Sequence, residues 1–186
     1  FRSVPWQMLC EEKGAKLVVA PINDAGAVEM DRFEELLSAR TKIVAFAHVS
    51  NALGTVLDAA RMTALTREHA SNAVVLVDGA QAVPHMAVDV KAIGCDFYCF
   101  SAHKMYGPSG MGALWGRKTL LDEMPPWQGG GDMIASVTFE KTTYNETPFK
   151  FEAGTPNIAG TVAFGASIDY LTGLGLDAVA ALEHEL

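Results

Sequence analysis

The chain has 186 residues, 49% of them hydrophobic, with 22 acidic against 14 basic side chains and a formal charge of −8. That length suits one domain that buries a sizeable core without disulfides or metal, and the acidic balance lacks the basic footprint of a nucleic-acid or anionic-membrane binder. No stretch approaches the roughly 18 consecutive apolar residues of a membrane span, and Phe1-Arg-Ser-Val-Pro5 shows no basic segment leading into an apolar one.

In chain order, Cys10 falls on a predicted helix, and strand-length apolar runs are expected at Lys16–Ile22, Lys42–Ala47, Ala73–Val77, Asp96–Phe100 and Met111–Trp115. Helix-period segments separate the first of these: Met30–Ser38, with Phe33, Leu36 and Leu37 on one face, and Ala59–Ala70, with Met62 and Leu65 opposite Arg61, Arg67 and Glu68. Strand alternating with helix predicts an α/β fold, a mostly parallel sheet with flanking helices on both faces. Pro125-Pro-Trp-Gln-Gly-Gly-Gly131 then breaks the pattern. Residues 125–156 read as an excursion from the main sheet, with Ile134–Thr143 as a strand and Thr147–Glu152 as its partner. A helix follows from about Asn157 to Leu171, and Ala178–Leu186 continues in helical pattern without a closing glycine or proline, so the chain reads as a piece of a longer one.

Open α/β sheets bind ligands beyond the carboxyl ends of their strands, and here each predicted strand end turns polar. His48-Val-Ser-Asn51 follows Ala47, Asp78-Gly-Ala-Gln81 follows Val77, and Ser101-Ala-His-Lys104 follows Phe100. A lone lysine in a loop is ordinarily just solvated. Lys104 differs in being flanked by Ser101, His103, Tyr106 and several glycines, where partial desolvation or a neighbouring cation such as His103 would suit it to form a Schiff base with an aldehyde. Asp78 taken alone reads equally well as a cap or turn former. Beside a Schiff-base lysine it acquires a specific task, keeping a pyridine nitrogen protonated, with Gln81 near the ring's phenolic oxygen and Ser101 and His103 near a phosphate. That is the inventory of a pyridoxal 5'-phosphate site. A nucleotide phosphate loop at Gly107-Pro-Ser-Gly-Met-Gly112 fails on context, because these glycines lead into a strand and not a helix.

Val77-Asp-Gly-Ala-Gln-Ala82 together with Ser101-Ala-His-Lys-Met-Tyr-Gly-Pro-Ser-Gly110 closely resembles the class V aminotransferase family, specifically its cysteine desulfurases. Pro125-Pro-Trp-Gln-Gly-Gly-Gly-Asp-Met-Ile134, Phe151-Glu-Ala-Gly-Thr-Pro-Asn157 and His48-Val-Ser-Asn-Ala-Leu-Gly54 are similar to the SUF-type, or group II, branch, which also holds the selenocysteine lyases. The resemblance runs through essentially the whole chain. It implies the large cofactor-binding domain of the type I pyridoxal-phosphate fold, present in part, with an N-terminal portion and a C-terminal small domain absent. It implies that Lys104 forms the Schiff base, that Asp78 pairs with the pyridine nitrogen, that Gln81 contacts the phenolic oxygen, and that Ser101 and His103 bind the phosphate. Asn51 matches the position beside the cofactor and the substrate carboxylate, and Thr155 matches a residue that reaches the phosphate of the neighbouring subunit in a homodimer. His48 is placed behind the site by its motif, and the family's ring-stacking histidine and phosphate-binding glycine–threonine turn would precede Phe1.

The implied activity converts L-cysteine to L-alanine, transferring persulfide sulfur to an acceptor protein of iron–sulfur cluster assembly. Selenocysteine lysis, transamination or a catalytically incompetent fragment are alternatives that the residues present do not separate. In the family the persulfide-forming cysteine and the substrate-carboxylate arginine lie downstream of the segment matching Phe151–Asn157, beyond Leu186. Cys10, Cys95 and Cys99 read as packing residues, and an odd number of cysteines with no CxxC fits a reducing cytoplasm. His69, His85 and His184 read as surface or packing residues.

Overall fold

Short runs rich in β-branched and aromatic residues build the central sheet of the computed structural model, which describes residues 3–186; Phe1 and Arg2 lie outside the described residues. After helix α1 (Val4–Lys13) and helix α2 (Met30–Leu36) come strand β1 (Ile43–Ala47), helix α3 (Ala59–His69) and strand β2 (Val74–Asp78). A one-turn helix α4 (Val90–Ile93) leads to strand β3 (Phe97–Ser101), a 3₁₀ turn (Ala102–Lys104) and strand β4 (Gly112–Gly116). The strands lie in the order β1-β2-β3-β4. The first three are parallel, each joined to the next through a helix, whereas β4 returns antiparallel against β3.

Burial alternates along β1 and β2, so the sheet is covered mainly on one face. Register places Val44 beside Val75, and Phe46 beside Val77, which in turn pairs with Tyr98. These five residues form one core cluster with Phe33 of α2 and Ala59 and Met62 of α3. On the opposite face Ile43 is 44% exposed and Leu76 and Cys99 are half-buried, so these strands are not sealed on both sides. Fixed caps set the helix starts: the Asp58 carboxylate accepts the Arg61 N–H at the head of α3, and Asp89 accepts two N–H groups of α4.

A buried charge cluster ties the layers together. Asp96 Oδ2 accepts from Arg67 Nη2 of α3 at 2.6 Å and from the Val75 N–H of β2 at 2.7 Å, while Oδ1 meets Arg117 Nε at 3.1 Å. Its backbone is also fastened, donating to Val75 O and accepting from Arg117 N–H.

Two expectations are corrected. Lys16–Ile22 forms no strand: it is extended chain with a lone bridge from Ile22 to Val28, and Val18 and Val19 are 49% and 74% exposed. Apolar composition suits a strand, but a strand also needs a hydrogen-bonding neighbour, and β1 leaves this stretch unpaired. Nor is Ile134–Thr143 one strand with Thr147–Glu152 as partner. After helix α5 (Lys118–Glu123), strand β5 (Ile134–Val137) pairs with strand β6 (Thr142–Tyr144) in a two-stranded sheet of its own. Thr138 turns the chain, its hydroxyl accepting the N–H groups of Glu140 and Lys141. The expected partner becomes a 3₁₀ turn, Phe149–Phe151, begun by Pro148, which has no N–H for a ladder.

Buried Lys150 anchors this excursion by donating to the carbonyls of Asp122 and Met124, at the end of α5. Helix α6 (Ile158–Leu174), capped by the Asn157 side chain, then lays Phe164 and Leu171 against Ala102 and Met105, and helix α7 (Leu176–Glu185) follows. No helix among the described residues is long and apolar enough to cross a membrane.

Candidate functional site

Three neighbouring parallel strands end side by side, and the polar clusters expected after them therefore share one edge of the sheet. Ala47 pairs with Asp78, and Asp78 with Cys99, so Asn51, Asp78, Gln81, Ser101, His103 and Lys104 all emerge at the carboxyl ends of β1, β2 and β3. The sheet delivers what the alternating pattern implied.

The Asp78 turn is tightly built. Asp78 Oδ1 accepts the Ala80 N–H at 3.0 Å, its carbonyl accepts the His48 N–H at 2.8 Å, and the Gly79 N–H donates across to Cys99 O at 2.8 Å. Ala82 and Val83 donate back to Gly79 O, which coils the chain and sets Gln81 half-buried beside the strand end. Only glycine fits at position 79: a Cβ there would lie 2.0–2.2 Å from the Tyr98 ring and hydroxyl.

The lysine turn is held from below. Ala102 and Met105, three residues apart, are buried against α6, and this pins the 3₁₀ turn while His103 stays exposed and Lys104 half-buried. Ala102 N–H donates to Met111 O, and the N–H groups of Met105 and Gly107 return to Ala102 O. Tyr106 takes the left-handed conformation at φ 61°, an unusual choice for a bulky residue, and its ring meets Tyr170 of α6 edge-on at 5.7 Å.

Among the described residues the side chains of Asn51, Gln81, Ser101, His103, Lys104 and Thr155 make no hydrogen bond or ion pair within the chain. An amine, an imidazole, hydroxyls and amides, beside a carboxylate with one oxygen still free, suit a ligand with an aldehyde, a phosphate and a basic ring nitrogen. The donor set therefore fits pyridoxal phosphate. Thr155 belongs to a different element, exposed on the loop before α6, where neighbouring Gly154 donates to Gly131 O. No group of three or more histidine, cysteine or acidic side chains among the described residues could hold a metal ion.

The cysteine thiols behave as packing groups. Burial, with Asp78 adding, pushes the Cys99 thiol up from its ordinary value, and burial likewise pushes up Cys95. Both stay protonated, poor nucleophiles at neutral pH. His85 and His69 pair with Glu183 and Glu34. The sequence reading placed His48 behind the site but missed its partner: His48 Nδ1 lies 3.0 Å from Tyr98 Oη, both side chains buried. The available signal was Tyr98 itself, a phenol in a buried strand whose hydroxyl must find a partner.

The sequence profile described as Aminotransferase class-V matches residues 2–186. The chain is 55% identical over 183 residues to a cysteine desulfurase of Synechococcus elongatus, covering 98% of this chain and 29% of that protein. It is 53% identical over 184 residues to a cysteine desulfurase of Salmonella typhimurium, covering 98% and 45%. In structure it is similar to an apo cysteine desulfurase from Thermococcus onnurineus, with a TM-score of 0.93 at 36% identity over 98% of this chain and 45% of that one. A cysteine desulfurase from Escherichia coli superposes with a TM-score of 0.89 at 40% identity, over 94% and 43%. The chain thus spans less than half the length of the relatives it matches.

Proposed function

Because the chain belongs to the class V aminotransferase family, we propose that it is the cofactor-binding part of a pyridoxal-phosphate-dependent cysteine desulfurase. The observation that carries this reading is the meeting of Asp78, Ser101, His103 and Lys104 at adjacent parallel strand ends, with the amine and the phosphate donors unpaired among the described residues. The mostly parallel sheet with flanking helices is the type I fold, of which residues 1–186 would form part of the large domain.

When bound, pyridoxal phosphate supplies an aldehyde that condenses with amines and a protonated ring that withdraws electrons from the substrate. The residues here would hold and serve it. Lys104 would hold the aldehyde through its amine and, once released, would hold or move a proton at Nζ. Asp78, with one carboxylate oxygen not hydrogen-bonded among the described residues, would keep a proton on the ring nitrogen, and Gln81 would donate to the phenolic oxygen. Ser101 Oγ and the His103 ring would bind phosphate oxygens, Asn51 would stand near the substrate carboxylate, and Thr155 would reach the phosphate held by the other subunit of a homodimer. Cys95 is buried and Cys99 half-buried, and burial pushes both thiols up, so neither suits the thiolate that would receive the sulfur; Cys10 lies on α1, on none of the elements that carry the site. The sulfur would pass as a persulfide to an acceptor protein of iron–sulfur assembly, and three free thiols accord with a cytoplasmic setting.

Borohydride reduction of the full-length protein with pyridoxal phosphate, followed by peptide mass mapping, is expected to place the adduct on Lys104. An adduct on another lysine, or none, would refute the site. Release of alanine from L-cysteine by the same preparation tests the reaction itself.

A further inference from the structure

Behind the strand ends lies a pair of polar side chains that the reading above leaves without a task. His48 is 6% exposed and Tyr98 1%, their rings stand perpendicular with centroids 6.0 Å apart, and Nδ1 and Oη are 3.0 Å apart. Both touch the Asp78 turn. The His48 N–H holds the Asp78 carbonyl at 2.8 Å, and the Tyr98 ring lies directly under Gly79, so close that no side chain fits between them. The turn that aims the Asp78 carboxylate is therefore gripped from β1 on one side and floored by β3 beneath.

The charge state of the pair follows from its burial. Burial holds His48 below the ordinary histidine range, with Asp58 opposing. It also pushes Tyr98 far above the ordinary phenol range, with Cys95, Asp78 and Cys99 acting in the same direction. Both rings are neutral at neutral pH. Among the described residues the Tyr98 hydroxyl has no hydrogen-bond partner besides His48 Nδ1. If Nδ1 carried the imidazole proton, the phenol O–H would be a buried donor with no acceptor, so the phenol donates and the imidazole proton sits on Nε2.

We propose that Tyr98 and His48 are positioning residues for the Asp78 carboxylate: the Tyr98 O–H···Nδ1 bond locks the His48 ring, and the locked pair fixes the turn against which the cofactor's ring nitrogen is held. This rests on the reading of Asp78 as the partner of that nitrogen. Loosening the pair moves the carboxylate and weakens its hold on the ring proton, which alters the bound chromophore itself and not only the rate.

The test uses the full-length holoenzyme. Tyr98→Phe keeps the ring beneath Gly79 and removes the hydroxyl. The visible absorbance of bound pyridoxal phosphate, titrated with pH, is expected to shift its midpoint by about half to one pH unit, towards that of Asp78→Asn. The dissociation constant for pyridoxal phosphate is expected to rise about tenfold, equivalent to about 1.4 kcal/mol. His48→Asn offers an amide oxygen in place of Nδ1 and is expected to retain the wild-type midpoint, whereas His48→Leu shifts it. Should Tyr98→Phe fail to fold, the contrast between His48→Asn and His48→Leu decides. An unchanged midpoint in Tyr98→Phe or His48→Leu, or equal shifts in Asn and Leu, overturns the proposal, as does a nitrogen NMR spectrum of the apoprotein showing the proton on Nδ1. Wild-type protein that forms no adduct at Lys104 overturns the functional reading instead.

Discussion

Replacing Asp96 with alanine removes a buried carboxylate that serves three donors, from α3, from β2 and from Arg117 between β4 and α5. The Val75 N–H, at 2.7 Å from Oδ2, becomes a buried donor without an acceptor, at a cost of about 1–3 kcal/mol. Arg67 and Arg117 lose their carboxylate too, but they keep the carbonyls of Ala73, Gly94 and Cys95, and their side chains are 33% and 48% exposed. Water recovers most of that loss, leaving about 0.5–1 kcal/mol for the two together. The sum, roughly 1.5–4 kcal/mol, falls on the junction of α3, β2 and β3. Hydrogen exchange of the amides in β2, Val75 among them, reads this locally, free of the complications of unfolding a large protein. At about 1.4 kcal/mol per factor of ten, exchange should quicken roughly 10- to 700-fold. Asp96→Asn, which keeps one acceptor for Val75, should show a smaller acceleration. Exchange in β2 that changes less than about threefold in Asp96→Ala would refute the view that this carboxylate clamps the sheet.

Gly79→Ala sets a methyl 2.0–2.2 Å from the Tyr98 ring; the ring is boxed in, so the turn must move, destabilising the protein by about 1–3 kcal/mol or more. Loss of bound pyridoxal phosphate on gel filtration would register it, and undiminished retention would contradict the packing argument. Cys99 in the folded protein should resist alkylation at pH 7–8, because burial raises its thiol above the unfolded value. In a raised thiol the unfolded state loses its proton first, so its contribution to stability declines as pH rises through the unfolded value and beyond. Alkylation of Cys99 at neutral pH as fast as in the denatured chain would show that the burial is wrong.

The parallel strands and the polar residues that follow them were legible because each strand is an apolar run bounded by a change of composition. Asp78, Ser101 and Lys104 sit where those changes occur, and a parallel sheet brings successive strand ends together. Lys16–Ile22 carries the same composition but lacks a neighbour, and pairing is a property of two segments that no single run reports. The β5–β6 hairpin was misread because its turn is made by the hydroxyl of Thr138, without glycine or asparagine to mark it. Helices α4 and α5, of four and six residues, are too short to display a helical period. The links from Asp96 to Arg67 and Arg117, and from His48 to Tyr98, join residues 29, 21 and 50 apart. Such contacts exist only once the sheet has ordered its strands.

The return of β4 against β3 has a consequence for the lysine it encloses. Because Ala102 N–H bonds Met111 O, Lys104 lies within a short covalent loop whose ends are stapled together and whose underside, Ala102 and Met105, is packed on α6. The backbone freedom of that loop is surrendered when the chain folds, well before any aldehyde arrives. A small molecule captured by the amine need then immobilise only one side chain, and its binding strength can be spent on recognition in place of ordering the polypeptide.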